Sequence, residues 1–331
     1  MKEKEKNKIF SQYQWEEGSL ERLTRDRYQV LAGEEEYILL AGEKRDPYFA
    51  GEIFFRRYLE EEGCNFLPPL VLGKDKEPLF RTGSKCYAVE KKIKCREFSF
   101  RKKDLLMNAM KTLAPFHQKS EGYEAKRDGL SQSHLGQWPA RLERNLKEGE
   151  HYLQRAMEKP EDPALMVLLE RMEPLLLRRG EKGLLSLCLS PYEELAEKTF
   201  LSGRLSYGAV NSRGLGYYKS RVFLTDFSRL NHDLAAADLW QIFRRYLSFR
   251  GNDPEEILTA LRVYESCEPL LPGETEVLNA LLCFPYYPFK LIKRLAKSKD
   301  GEESVRTGRH LYGVLRAEEE NDAFYHRLLM P

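Results

Sequence analysis

Asp226 closes the apolar run Val222–Phe223–Leu224–Thr225, a strand-end position from which a carboxylate can ligate a divalent cation. A carboxylate that merely caps the following turn is the simpler reading, because no partner ligand lies at a useful spacing. The six histidines (His117, His134, His151, His232, His310 and His326) form no HxxxH or HExxH pair. His117 falls on the apolar side of a helical pattern and reads as a core histidine. Cys64, Cys86, Cys95, Cys188, Cys267 and Cys283 are scattered without a CxxC pair, as small buried apolar residues would be. Lys91–Lys103 holds seven basic residues with Phe98 and Phe100 between them, a composition that suits single-stranded nucleic acid. A solvated strand and helix start explains it more simply. The aromatic run Phe284–Phe289 reads as packing of the last helices, with a partner-docking surface as the alternative.

The elements that must position these residues follow from composition and periodicity. The 331 residues carry 54 basic and 52 acidic side chains, a net charge of +2, which excludes a polyanion binder driven by bulk charge. No apolar run approaches a membrane span, and MKEKEKNKIF lacks the apolar core of a signal peptide, so a soluble, globular, intracellular protein is expected. Arg27–Leu31 and Glu36–Leu40 pattern as a hairpin around Gly33, and Asp46–Gly63 as a helix bearing Phe49, Ile53, Phe54, Tyr58 and Leu59. Leu67–Leu72 reads as a connector, and Pro78–Phe80 and Cys86–Ile93 as strands. Helices are expected at about 102–119, from Leu142 to Met157, and at Leu165–Leu177, Pro191–Phe200, 233–249, 254–265, 273–296 and 302–318. Two strand-like pieces interrupt them at 204–227. The outline is an α+β, kinase-like bilobal fold. It has a strand-rich N-lobe at 1–93, a connection at 94–100, and a larger, mainly helical C-lobe at 101–331. Leu39, Leu40, Ile53, Leu113, Phe116, Leu224 and Trp240 are expected in the core.

Several stretches resemble one known family. Leu113–Ala–Pro–Phe–His–Gln–Lys–Ser–Glu–Gly–Tyr123 is similar to the LAxFHxxSxGY stretch of CotS-type spore coat proteins, which belong to the aminoglycoside phosphotransferase and choline kinase-like superfamily. Tyr87–Ile93 with Cys95–Phe98 resembles the family's interlobe strand and GRE turn. Leu135–Trp138 ahead of a long amphipathic helix, and Phe223–Phe227 followed by Asp238–Leu239, fit in the same order.

The resemblance implies a catalytic loop HGDxxxxN, in which Asp accepts the acceptor hydroxyl's proton and Asn helps hold metal. Here the corresponding run is Ser206–Gly214. Alignment on Gly208 puts Tyr207 at the His, Ala209 at the Asp and Gly214 at the Asn position. Asn211 lies three residues early and could stand in for the Asn only in a shortened loop. Asp226 keeps the metal-ligand position, whereas Asp233 or Asp238 reads as a helix cap or loop tether. The phosphate-binding Lys position of the third strand falls at Leu40 or Ala41. Lys44 in the loop beyond is the nearest candidate, with Glu52 as its possible helix partner, although an exposed helix-start Glu is the simpler reading. Gly33 and Gly42 are isolated turn glycines, not a phosphate loop.

These departures imply a pseudokinase, a structural or assembly component of the endospore coat with no cofactor. It would be made in the mother cell and partnered by other coat proteins, not by nucleic acid or membrane. The competing expectation is a phosphotransferase with a rearranged site, using ATP and Mg²⁺ on Asp226.

Overall fold

The computed structural model describes residues 3–123, 129–158 and 162–328. Two compact units emerge from the packing. One comprises Met1–Phe98, Lys111–Ser133 and Ser202–His232; the other comprises Ser99–Met110, His134–Leu201 and Asp233–Pro331.

The first unit opens with a short helix, α1 (Glu3–Gln12), then β1 (Ser19–Arg22), β2 (Arg27–Ala32) and β3 (Glu35–Glu43). The helix α2 (Pro47–Glu61) precedes β4 (Leu70–Val71), β5 (Phe80–Thr82) and β6 (Lys85–Lys91). The sheet runs β1-β2-β3-β6-β4, with β5 also on β6, and every pairing is antiparallel. Both faces are covered, which is why β3 reads Tyr37–Ile38–Leu39–Leu40 without polar alternation. Tyr37 and Leu39 join Ile9 and Phe10 of α1, whereas Ile38 and Leu40 join Ile53 of α2. The hairpin turn is Gly33–Glu34, and Gly33 sits at φ +62°, a conformation open to glycine at no steric cost. Asp46 caps α2 by accepting from the Tyr48 amide, with Pro47 in the first turn.

The same unit carries a three-stranded sheet of β7 (Arg96–Glu97), β8 (Leu215–Tyr218) and β9 (Arg221–Leu224). It is completed by the second half of α3 (Lys103–Ser120), where Leu113, Ala114 and Phe116 are buried.

The second unit is helical: α4 (Trp138–Met157), α5 (Pro163–Leu189), α6 (Tyr192–Ser202), α7 (Ala235–Leu247), α8 (Glu255–Glu265), α9 (Glu274–Cys283), α10 (Tyr286–Lys297), α11 (Gly301–Glu320) and α12 (Asp322–Leu328). The ring of Phe289 on α10 lies so close to Gly149 on α4 that a Cβ there would enter it. Among the described residues no helix is long and apolar enough to cross a membrane.

All seven expected core residues are buried. The differences have local causes. The segment 273–296 is two helices, because the chain leaves helical geometry at Phe284 and Pro285 before α10 begins. The helix expected at Leu165–Leu177 continues to Leu189, carrying Pro174 inside it. Helices α1 and α12 and strand β1 lie where charged residues blur the pattern, and the Leu67–Leu72 connector contains the two-residue β4.

Candidate functional site

The site is built within the first unit, where Ser206–Gly214 meets the end of β9. Tyr207 is fully buried, and its hydroxyl is the hub. It accepts from the amides of Thr225 at 3.2 Å and Asp226 at 3.0 Å, and it donates to the Gly214 carbonyl. Tyr207 therefore ties the loop to the strand end. Ala209 is 0% exposed, so no oxygen is available where the family's Asp would stand. Any Cβ at Gly214 would be driven into the Ala209 carbonyl oxygen, so no asparagine fits there. The carboxamide of Asn211 is consumed in the turn. Its Oδ1 accepts from the amides of Arg213 at 2.9 Å and Gly214 at 3.1 Å, and its Nδ2 donates to Ala209 O at 3.1 Å.

Asp226 is one-quarter exposed and already engaged. Its Oδ1 accepts from the Ser228 hydroxyl at 2.7 Å and amide at 3.1 Å, an Asx turn. The guanidinium of Arg27 stands 3.7 Å away and points at Thr225 O from 3.4 Å. Arg27 is the direct cross-strand partner of Leu40. Directly opposed residues of an antiparallel pair project from the same face. A cation thus leaves the face that carries Leu40, but from the neighbouring strand, and it ends on the Asp226 carboxylate.

Glu52 lies beside them. It is 6% exposed, a correction to the reading of it as an exposed helix-start residue. It makes no hydrogen bond or ion pair among the described residues. Burial pushes its carboxyl up to about 7; Arg56 and Arg27 oppose the rise, while Asp226 and Glu90 add to it. One turn along α2, Arg56 forms a buried ion pair with Glu90 of β6, donates to Pro68 O at 3.1 Å, and stacks on the Phe227 ring. Tyr48 donates to Leu230 O at 3.0 Å and closes the group.

The sequence-derived positions Tyr207, Ala209, Asn211, Gly214, Glu52 and Asp226 therefore fall together. Lys44 does not join them; it is exposed in the turn after β3, its amide bonded to Ser84 O. No motif or periodicity in the sequence singles out Arg27, Arg56 or Glu90. The signal for Arg27 was present, since a two-residue turn at Gly33–Glu34 sets the register that places it opposite Leu40. A magnesium–nucleotide complex needs carboxylate and amide oxygens facing the metal and a free cation for the phosphates. The residues here do not fit it: one carboxylate is neutralised, one amide is spent, and two positions have no oxygen. Among the described residues no group of three or more His, Cys, Asp or Glu could hold a metal ion.

No protein-family model matches the chain. Solved structures do. An aminoglycoside phosphotransferase from Alicyclobacillus acidocaldarius superposes with TM-score 0.76 at 18% identity, over 94% of this chain and 91% of that one. The fold is that of the small-molecule phosphotransferases. Amicoumacin kinase gives 0.59 at 14% identity over 96% and 94% of the two chains. Spectinomycin phosphotransferase gives 0.57 at 10% identity over 97% and 99%. This kinase-like fold joins an antiparallel, strand-rich N-terminal part to a mainly helical remainder, as the periodicities implied.

Proposed function

We propose that this protein is a non-catalytic member of the small-molecule phosphotransferase fold, a pseudokinase that serves as a binding or assembly module. The observation that carries the reading is the guanidinium of Arg27 resting on Asp226, where a kinase would hold its metal. The buried Ala209 and the side-chain-free Gly214 support it, because neither can accept a proton or ligate a cation. The resemblance of Leu113–Tyr123 to the CotS-type proteins supports the endospore coat as the place of that module, with other coat proteins as partners. The protein's absence from the coat fraction of spores, by immunoblot, would remove that part of the reading.

The second reading is a phosphotransferase with a rearranged site. It is favoured by the superposition on an aminoglycoside phosphotransferase and on kinases of amicoumacin and spectinomycin. Thermal melting with and without millimolar ATP and Mg²⁺, repeated with Asp226→Ala, separates the two. A ligand at about 100 times its Kd adds ~2.7 kcal/mol, a shift of several degrees for a chain this size. No shift is expected in either protein. A clear shift abolished by Asp226→Ala would replace the pseudokinase reading with the enzymatic one.

A further inference from the structure

Among the described residues of the second unit, one buried cation has no ion-pair partner. Arg244 of α7 stacks on Trp240, one turn earlier, with its guanidinium carbon 4.5 Å from the ring centroid. Tyr286 and Tyr287, at the start of α10, bring two more rings to 5.5 and 5.7 Å. The guanidinium makes no hydrogen bond and no ion pair among the described residues, and its Nε is buried without an acceptor. The indole N–H of Trp240, a residue 5% exposed, is likewise buried and unpaired. Burial, then repulsion from Arg245, pushes the Arg244 guanidinium down to about 9, against opposition from Tyr286 and Tyr287.

The surroundings repeat the pattern. Trp240 packs edge-on against Trp138, 5.1 Å away, and the ring of Trp138 carries a second guanidinium, Arg141, at 4.7 Å. One buried nitrogen of Arg141 also lacks an acceptor. Asp233, whose charge Arg141 stabilises, accepts from the Trp138 indole N–H at 3.0 Å and the Leu234 amide at 2.9 Å and does not fill the vacancy on the Arg141 nitrogen. All three orphan groups on this aromatic stack are donors, and two of them are cationic. Stacking satisfies the faces of a guanidinium but supplies neither acceptor nor countercharge to its edge.

We propose that Arg244, in its box of Trp240, Tyr286 and Tyr287, is an anion-binding site that takes a single oxyanion of a small molecule, carboxylate or phosphate. A planar fork of N–H donors suits either group. The site uses none of the residues around Asp226, so it stands or falls apart from the pseudokinase reading. It also gives the aromatic run Phe284–Phe289 two parts: Phe284 and Phe289 are buried packing, whereas Tyr286 and Tyr287 are half-buried and turn toward Arg244.

Two of the three tryptophans, Trp138 and Trp240, lie in this stack, so intrinsic fluorescence reads the site directly. Wild-type protein is titrated with inorganic phosphate and, separately, with acetate, each against sodium chloride at matched ionic strength. A saturable change with a midpoint of about 1–10 mM is expected for at least one anion. Whichever of phosphate and acetate binds tighter identifies the oxyanion. Arg244→Gln should weaken binding at least about tenfold, equivalent to ~1.4 kcal/mol. Melting in saturating anion should rise in wild type and not in Arg244→Gln. If Arg244→Gln does not fold, Arg244→Lys replaces it, keeping the charge but losing the fork, and should also weaken binding. Wild type that responds to neither anion beyond sodium chloride, or an Arg244 variant that responds as wild type does, would overturn the proposal.

Discussion

The guanidinium of Arg27 lies 3.7 Å from the carboxylate of Asp226, although the two are separated by most of the fold's sequence. Arg27 reaches it because β2 and β3 place it directly opposite Leu40, on the face that α2 covers. The pair is partly exposed, so its own contribution to stability is about 1 kcal/mol or less. Its larger consequence is for cations. Removing Arg27 should expose one carboxylate, and Arg27→Ala should gain a weak, millimolar affinity for Mn²⁺, read by the paramagnetic relaxation of water protons. Arg27→Ala with Asp226→Ala should lose it again. Wild type that already binds Mn²⁺ as tightly as Arg27→Ala would show that Arg27 does not occupy the cation's place.

Tyr207→Phe tests the hub. The substitution leaves packing intact and deletes one hydroxyl that serves the Asp226 amide, the Thr225 amide and the Gly214 carbonyl. Thr225 N also reaches Gly214 O at 2.9 Å, so the Asp226 amide suffers most. A buried donor left unsatisfied costs about 1–3 kcal/mol. Urea unfolding should show a loss in that range. A change under about 0.5 kcal/mol, the size of an ordinary surface substitution, would mean the hydroxyl holds nothing that matters.

Installing the aligned Asp and Asn in the loop tests the proposed pseudokinase reading. Gly214→Asn drives a Cβ into the Ala209 carbonyl, and Ala209→Asp places a carboxylate where there is no exposed surface. Each should cost ~3 kcal/mol or more, since overpacking and an unpaired buried charge are among the few mechanisms that large. The double variant should lose folded protein and gain no ATPase activity. Folded, ATP-hydrolysing double variant would mean the loop has room that the Gly214 geometry denies.

The fold was legible because both faces of the first sheet are apolar and the helices keep strong periodicity. Tyr37–Leu40 and the α2 pattern at Phe49, Ile53 and Phe54 were visible as written. The site was only half legible. Ala209 and Gly214 carry no side-chain oxygen, and that much is a property of the residue itself. Which charged groups gather there is a matter of register: Arg27 is thirteen residues from Leu40 along the chain but its direct partner across the strands. Glu52 misled for a related reason. Position six of a helix says nothing about depth, and only packing shows that Arg56, Glu90 and Phe227 enclose that face of α2. The basic run with Phe98 and Phe100 has the solvated-strand character expected of it, with both rings buried and Lys91 and Lys92 paired to Glu35 and Glu36.

Glu52 also gives the protein a pH dependence whose sign is fixed by its environment. Its carboxyl, ordinarily near 4.5, is raised to about 7 in the folded protein, chiefly by burial. Between those two values the folded state holds a proton that the unfolded state has released, so stability falls as pH rises through that window. Below it both states are protonated and the penalty vanishes; above about 7 it is fully present. Asp233, also raised to about 7 by burial, adds a slope of the same sign, so the comparison must be between proteins that share it. Glu52→Gln carries no charge to desolvate. It should match wild type near pH 4.5 and exceed it at pH 8 by on the order of 1–3 kcal/mol. Urea unfolding of both proteins at several pH values between 4.5 and 8 reads the difference. A wild type more stable than Glu52→Gln at pH 8 would make Glu52 a charged partner that Arg27 and Arg56 require, and the self-neutralised site would need redrawing around it.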